Sequence, residues 1–255
     1  MASAFQSGWS YREFRREITR KMRFIRTSEV QGFLDAVRDS CKERVSLLPS
    51  DSTLWRAQLD HIRHGPDEAP NPCSHERMKP LVDRATEGRV NPKGIPCLYL
   101  AQSSRVALGE VRPWIGSIVS MASFRTLREL RVIDCSRGEP SLAVFRDRLT
   151  PEEQKRAVWG DIDSALSEPV ERSDDKADYV ATQAIAEVFK AQGYDGVVYK
   201  SAFGTEHKNV ALFDLNAAEV ISVEIQTVKS IRIEPIEQRD PRFAKTVGAL
   251  SLYSK

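Results

Sequence analysis

Hydrophobic positions along this chain recur with two periods, and each period predicts a different kind of element. Val30, Phe33, Leu34, Val37 and Cys41 fall at the three- and four-residue spacing of one helical face. Ser28-Glu29-Val30-Gln31 opens that stripe, and Ser10-Tyr11-Arg12-Glu13 opens an earlier basic segment. In both, a serine is followed three residues later by Glu or Gln, the pattern of a capping box. The spacing predicts a basic helix from Ser10 to about Arg26 and a second helix along Val30–Cys41. Residues 1–50 thus read as a helical extension, too short to fold alone and needing something larger to pack on. Residues 51–255 are expected to form the main domain.

Short apolar or alternating runs predict strands at Thr53–Gln58, Cys97–Ala101, Ile115–Phe124, Leu130–Asp134, Gly196–Tyr199, Val210–Asp214 and Val220–Ile225, with an edge strand at Ile231–Ile236. Between Asp60 and Pro80 the composition turns to Pro, His, Asp and Gly, which predicts an irregular loop. Ser103 or Ser104 caps a short helix carrying Ala107, Leu108 and Glu110, with Pro113 as its stop. Thr150-Pro151-Glu152-Glu153 is a cap, a first-turn proline and two acids at the positive pole of a helix. The helix it opens carries Ala157, Val158, Ile162 and Leu166. A further helix spans about Tyr179–Gln192, with Ala184, Ile185, Val188 and Phe189 inward and Gly193 as its C-terminal stop. Short strands interspersed with helices place the chain in the α+β class.

Composition narrows the function classes. A formal charge of +2 over 255 residues makes no electrostatic case for nucleic acid, the run Arg12–Arg26 being the local exception. No apolar stretch reaches membrane-spanning length, and Met1–Phe5 runs straight into polar residues, so no signal segment is expected. Four cysteines, at 41, 73, 97 and 135, share no repeated spacing; Cys41 and Cys97 read as small buried hydrophobes, and a reducing, cytoplasmic location is expected. His61, His64, Cys73 and His75 crowd one loop, but their spacing matches no common zinc framework, so no metal is expected.

The candidate chemistry lies in residues scattered over the main domain. Arg89 sits in the turn Gly88-Arg89-Val90-Asn91-Pro92, Tyr99 ten residues on in a strand, and Glu110 eleven beyond that. Ser201 ends the strand Val197-Val198-Tyr199-Lys200. Taken singly, each has an ordinary reading: a solvated turn arginine, a half-buried strand tyrosine, an exposed helix glutamate, a turn serine. Taken together, they suit a ligand with phosphates, an aromatic ring and a ribose, such as NAD. Arginine forks onto phosphate, a tyrosine ring stacks, and a carboxylate offsets positive charge at the sugar. Ser201 has no companion histidine and no Gly-x-Ser-x-Gly elbow, so it is not read as a nucleophile.

The wording of these segments resembles the RES-domain family. The resemblance rests on Arg89-Val90-Asn91-Pro92-Lys93-Gly94, Leu98-Tyr99-Leu100-Ala101, Ala107-Leu108-Gly109-Glu110 and Gly196-Val197-Val198-Tyr199-Lys200-Ser201. Val90 departs from it, standing where members usually carry an aromatic residue. The resemblance implies a fold related to ADP-ribosyltransferases and the activity of NAD-degrading toxins held by a separate antitoxin protein. It further implies that NAD is a substrate and not a recycled cofactor, and that its nicotinamide–ribose bond is cleaved, with water or phosphate accepting ADP-ribose. Arg89, Tyr99, Glu110 and Ser201 would then form the site, with Arg56 and Asn209 as further contacts to NAD. Transfer of ADP-ribose to a protein, and a non-catalytic interaction module, are the alternatives; self-association of the chain stays open.

Overall fold

The computed structural model describes residues 3–63, 65, 68–137, 149–168 and 176–232. Its elements, in chain order, are α1 (Ser10–Arg20), α2 (Ser28–Ser40), β1 (Val45–Leu48), β2 (Thr53–Gln58), β3 (Leu98–Ala101), α3 (Ser104–Glu110), β4 (Ile118–Thr126), β5 (Leu130–Asp134), α4 (Pro151–Ser167), α5 (Val180–Ala191), β6 (Gly196–Ser201), β7 (Gly204–Leu212) and β8 (Ala218–Thr227). The strands form one eight-stranded sheet in the order β1-β5-β6-β7-β3-β2-β4-β8. Every neighbouring pair is antiparallel except β5 and β6, whose parallel pairing is connected through α4 and α5. Among the described residues, no helix is long and apolar enough to cross a membrane.

The two N-terminal helices pack on α4 and α5. Phe14, Ile18, Phe33, Leu34 and Val37 share one buried cluster with Val158, Ile162, Ile185 and Phe189. Burying a side chain of this size contributes roughly 1.5–3 kcal/mol. Val45–Leu48, which the apolar pattern did not mark as a strand, pairs with Leu130–Ile133 at the edge of the sheet.

The expected cap at Ser10 is not there. Trp9 occupies the cap position without a side-chain bond. Ser10, inside the first turn, donates its hydroxyl to the Ser7 carbonyl at 2.9 Å and accepts from the Ser7 amide at 3.0 Å. The helix also stops at Arg20 and not Arg26. Its buried positions end at Ile18, and Met22, Phe24 and Ile25 beyond it are exposed, so no packing draws further turns out of a run of like charges. The cap of α2 is Thr27, one residue before the expected serine, accepting from the Val30 amide at 3.3 Å.

Elsewhere the differences lie at element ends. β4 begins at Ile118 because Gly116 turns at positive φ, and α3 ends at Glu110, ahead of Pro113, with Arg112 at positive φ. β7 starts at Gly204, six residues before the expected Val210, because it forms a hairpin with β6. Ile231 and Arg232 carry no strand, and residues 233–236 of that expected element lie outside the described residues. The helix start at Thr150 is as expected, with both capping-box bonds to Glu153 present. All four cysteines are free and buried.

One irregularity of the sheet makes room for a site. β2 and β3 pair only at Trp55 with Ala101, whereas both have long partners on their other sides. On β3, Leu98 and Leu100 join one cluster, while Tyr99 packs against the helical core and Ala101 against α3. A cleft opens where β2 and β3 diverge.

Candidate active site

Three groups of residues build this cleft. The first is the turn around Arg89. The Gly88 amide bonds to the Asn91 carbonyl at 2.9 Å and closes it. The Tyr99 hydroxyl stands where a Cβ on residue 88 would be, so only glycine fits. That hydroxyl donates to Asn91 Oδ1 at 2.6 Å and accepts from the Val90 amide at 3.1 Å. Asn91, itself buried, donates Nδ2 to the carbonyls of Thr86, Pro92 and Ile95. From α5, Gln183 Nε2 reaches the Gly88 and Asn91 carbonyls at 2.9 and 3.0 Å, and the Thr182 hydroxyl donates to the Arg89 carbonyl at 2.6 Å. The Arg89 guanidinium turns to the C-terminal end of α4, donating to the Ala165 and Glu168 carbonyls, and lies 5.7 Å over the Tyr179 ring. A cation there complements the negative pole of the helix.

The second group converges on Glu110. Its Oε1 accepts from Ser201 Oγ at 2.8 Å and from Asn209 Nδ2 at 2.6 Å. Ser201 Oγ in turn accepts from the Phe203 amide at 3.0 Å. Ser201 and Asn209 are buried, while Glu110 is exposed on the cleft. Gly109 lets α3 sit on the β6–β7 turn, because a Cβ there would meet the Phe203 ring. The carboxylate thus stands at the C-terminal end of α3, the electrostatically unfavourable pole. Its orientation is fixed through one oxygen; Oε2 makes no hydrogen bond to a described residue.

The third group is Arg56 on β2. Its Nη1 donates to the Tyr99 carbonyl at 3.1 Å, satisfying a group that the missing β2–β3 ladder leaves open. Its Nε is buried without a partner. Burial pulls the guanidinium down to about 10, and no carboxylate is among the groups that act on it. A desolvated cation without a counter-charge is costly to keep and well suited to receive an anion.

The hollow enclosed by these groups measures about 540 Å³, within the usual range for a small-molecule site. Arg56, Arg89, Tyr99, Glu110 and Asn209 line it; Ser201 stands behind Glu110. Tyr179 and Tyr199 also line it, and Thr182 and Gln183 hold its turn. The sequence reading named none of these four for the site, although two polar residues inside the apolar stripe of α5 were a visible signal. A larger groove, about 710 Å³, runs between α1 and the end of α4, but Arg12 and Arg15 in it are already paired with Asp161 and Asp178.

In the histidine-rich loop, Cys73 is buried and its amide bonds to Ser120 Oγ at 3.0 Å, while His64 lies outside the described residues. No group of three metal-binding side chains occurs among the described residues.

A family model for the RES domain matches residues 53–237. Among solved structures, a chain of the crystal structure of the M. tuberculosis MbcT–MbcA toxin–antitoxin complex is similar over 75% of this chain and 92% of that one, at 17% identity and a TM-score of 0.42. No curated protein matches. The family match spans most of the chain and takes in all six residues from Arg56 to Asn209 that the sequence singled out; this chain belongs to the RES domain family.

Proposed function

We propose that this protein consumes NAD, breaking the bond between nicotinamide and ribose. The observation that carries this reading is the Glu110 carboxylate, held by Ser201 and Asn209 at the wall of a cleft whose floor bears the uncompensated Arg56. A dinucleotide offers a counterpart for each: a pyrophosphate for Arg56 and a ribose for Glu110. Arg89, tied to the end of α4, adds positive charge to the same wall.

In this reading the C1′–N bond breaks with its electron pair going to the pyridinium nitrogen, so nicotinamide leaves neutral and the ribosyl group becomes cationic. A fixed carboxylate favours that charge over the ground state, the logic of glycoside cleavage through an oxocarbenium-like transition state. Water then adds to C1′ and loses a proton, giving ADP-ribose; inorganic phosphate would instead give the 1″-phosphate. Ser201 donates a hydrogen bond to the carboxylate, keeps its proton, and serves to orient it. The RES family resemblance extends the proposal to a toxin acting in the cytoplasm and restrained by a separate antitoxin protein.

Incubating the protein with NAD in water, with added phosphate, and with a cell extract, while following free nicotinamide and labelled ADP-ribose, tests the reading. Nicotinamide release with ADP-ribose free in solution supports it. Label on proteins assigns a transferase instead, and an absence of nicotinamide in all three would overturn the NAD reading.

A further inference from the structure

The cleft holds one more polar group that the protein leaves unmatched. Tyr199, on β6, is 5% exposed and lines the cleft, yet its hydroxyl makes no hydrogen bond to a described residue. A phenylalanine would fill the same place in the helical core; the hydroxyl is not among the buried polar atoms shut off from solvent, and it opens on the cleft instead of into the core.

Its surroundings say which part of a ligand it meets. Tyr199 pairs through its backbone with Asn209, the residue that holds Glu110, and stands two positions before Ser201, which holds it too. Burial and then the negative charge of Glu110 push its phenol up, Arg89 opposing; Cys97 and Tyr179 are the other titratable groups acting on it. The hydroxyl therefore keeps its proton and is a donor. The neighbouring tyrosines do not compete for the role: the Tyr99 hydroxyl is spent on Asn91 and Val90, and Tyr179 stands under Arg89. Phosphates are repelled by Glu110 and attracted by Arg56, so the group beside Glu110 is the sugar.

The geometry points to Tyr199 as a further substrate-binding residue, whose hydroxyl donates to a hydroxyl oxygen of the ribose at the scissile bond. The same ribose hydroxyl donates its own proton to Glu110 Oε2. The inference rests on the NAD reading of the cleft. Such a chain of bonds from phenol to ribose to carboxylate polarises each member and fixes the sugar for bond cleavage.

Tyr199→Phe tests this, with ADP-ribose and ADP as calorimetric probes and NAD as substrate. ADP-ribose contains the ribose in question and ADP lacks it. The expected result is an ADP-ribose affinity weakened on the order of tenfold, the effect of one lost hydrogen bond. ADP affinity and melting temperature should be unchanged, and kcat/KM for NAD reduced. Equal ADP-ribose affinity with a lowered melting temperature would show that the hydroxyl serves the fold and overturn the inference. Equal losses for ADP and ADP-ribose would place the contact on the ADP portion that the two share and overturn it as well. Unchanged cleavage by Tyr199→Phe beside an active parent defeats this inference alone, whereas a parent that neither binds ADP-ribose nor cleaves NAD defeats the NAD reading and this inference with it.

Discussion

The Arg89 turn and the cleft beside it treat their polar groups in opposite ways. In the turn, donors and acceptors are closely matched: Asn91 uses both ends of its amide, the Tyr99 hydroxyl gives and receives, and Gln183 and Thr182 take three carbonyl bonds from α5. In the cleft, Arg56 Nε, the Tyr199 hydroxyl and Glu110 Oε2 have no bond to a described residue. Of these, Arg56 Nε is buried without a partner, which costs free energy, as is true of the Tyr11 hydroxyl and Arg44 Nη1 elsewhere, whereas Glu110 and the Tyr199 hydroxyl open on the cleft. Under the NAD proposal, the saturated region is scaffold, and the unsaturated one is where the ligand would supply the missing partners.

That contrast is broken most severely at Glu110. Glu110→Gln keeps the size and a hydrogen-bond acceptor but removes the charge; turnover should fall on the order of a hundred- to a thousandfold, about 2.7–4 kcal/mol, with an unaltered melting temperature. At Arg56 the two regions predict different things. Arg56→Met should weaken NAD binding by roughly ten- to a hundredfold, the range of a lost charge-assisted bond at about 1.5–3 kcal/mol. It should leave the melting temperature equal or higher, because a desolvated cation is gone. A loss of stability with full NAD affinity would show that Arg56 is scaffold.

On the scaffold side the pattern reverses. Tyr99→Phe leaves Asn91 Oδ1 and the Val90 amide without their partner and should cost about 1–3 kcal/mol of stability, read by denaturant unfolding. Turnover of the remaining folded protein should change less than in Glu110→Gln. Arg89→Lys keeps the charge but cannot fork onto two carbonyls; a loss near 1 kcal/mol should lower the melting temperature by about 2–4 °C, with NAD affinity reduced only a few-fold.

The smallest expected effect is on acid stability. Burial pushes the Asp134 carboxyl up, but bonds from Ser136 and the Lys208 ammonium outweigh it and hold it below its usual value of 3.8. A depressed folded value means that its stabilising contribution is complete above the unfolded value and is lost as pH falls through the folded one. Asp134→Asn should flatten the acid limb of the stability curve below about pH 4. An identical acid limb would remove Asp134 from that transition.

The sequence disclosed this molecule in proportion to how local each feature is. The Thr150–Glu153 capping box spans four residues and is present in full. The Ser10 pattern does not make a cap because Ser7, outside it, takes that hydroxyl. β1 escaped notice because a four-residue edge strand owes its existence to Leu130–Ile133, far along the chain. The same distance separates the site residues: Glu110 meets partners 91 and 99 positions away. No periodicity brings them together, and their grouping in the sequence came from the family wording. The roles of Thr182, Gln183 and the Tyr99 hydroxyl depend on how α5 lies against the Arg89 turn, which only the fold supplies.

The central claim, that the unmatched groups of the cleft are the protein's half of an NAD site, is tested most directly by titrating NAD into Glu110→Gln while measuring nicotinamide release. The account predicts binding close to the parent's affinity for ADP-ribose together with turnover reduced on the order of a hundredfold or more. Parent-like nicotinamide release, or no detectable NAD binding to a folded Glu110→Gln, would contradict it.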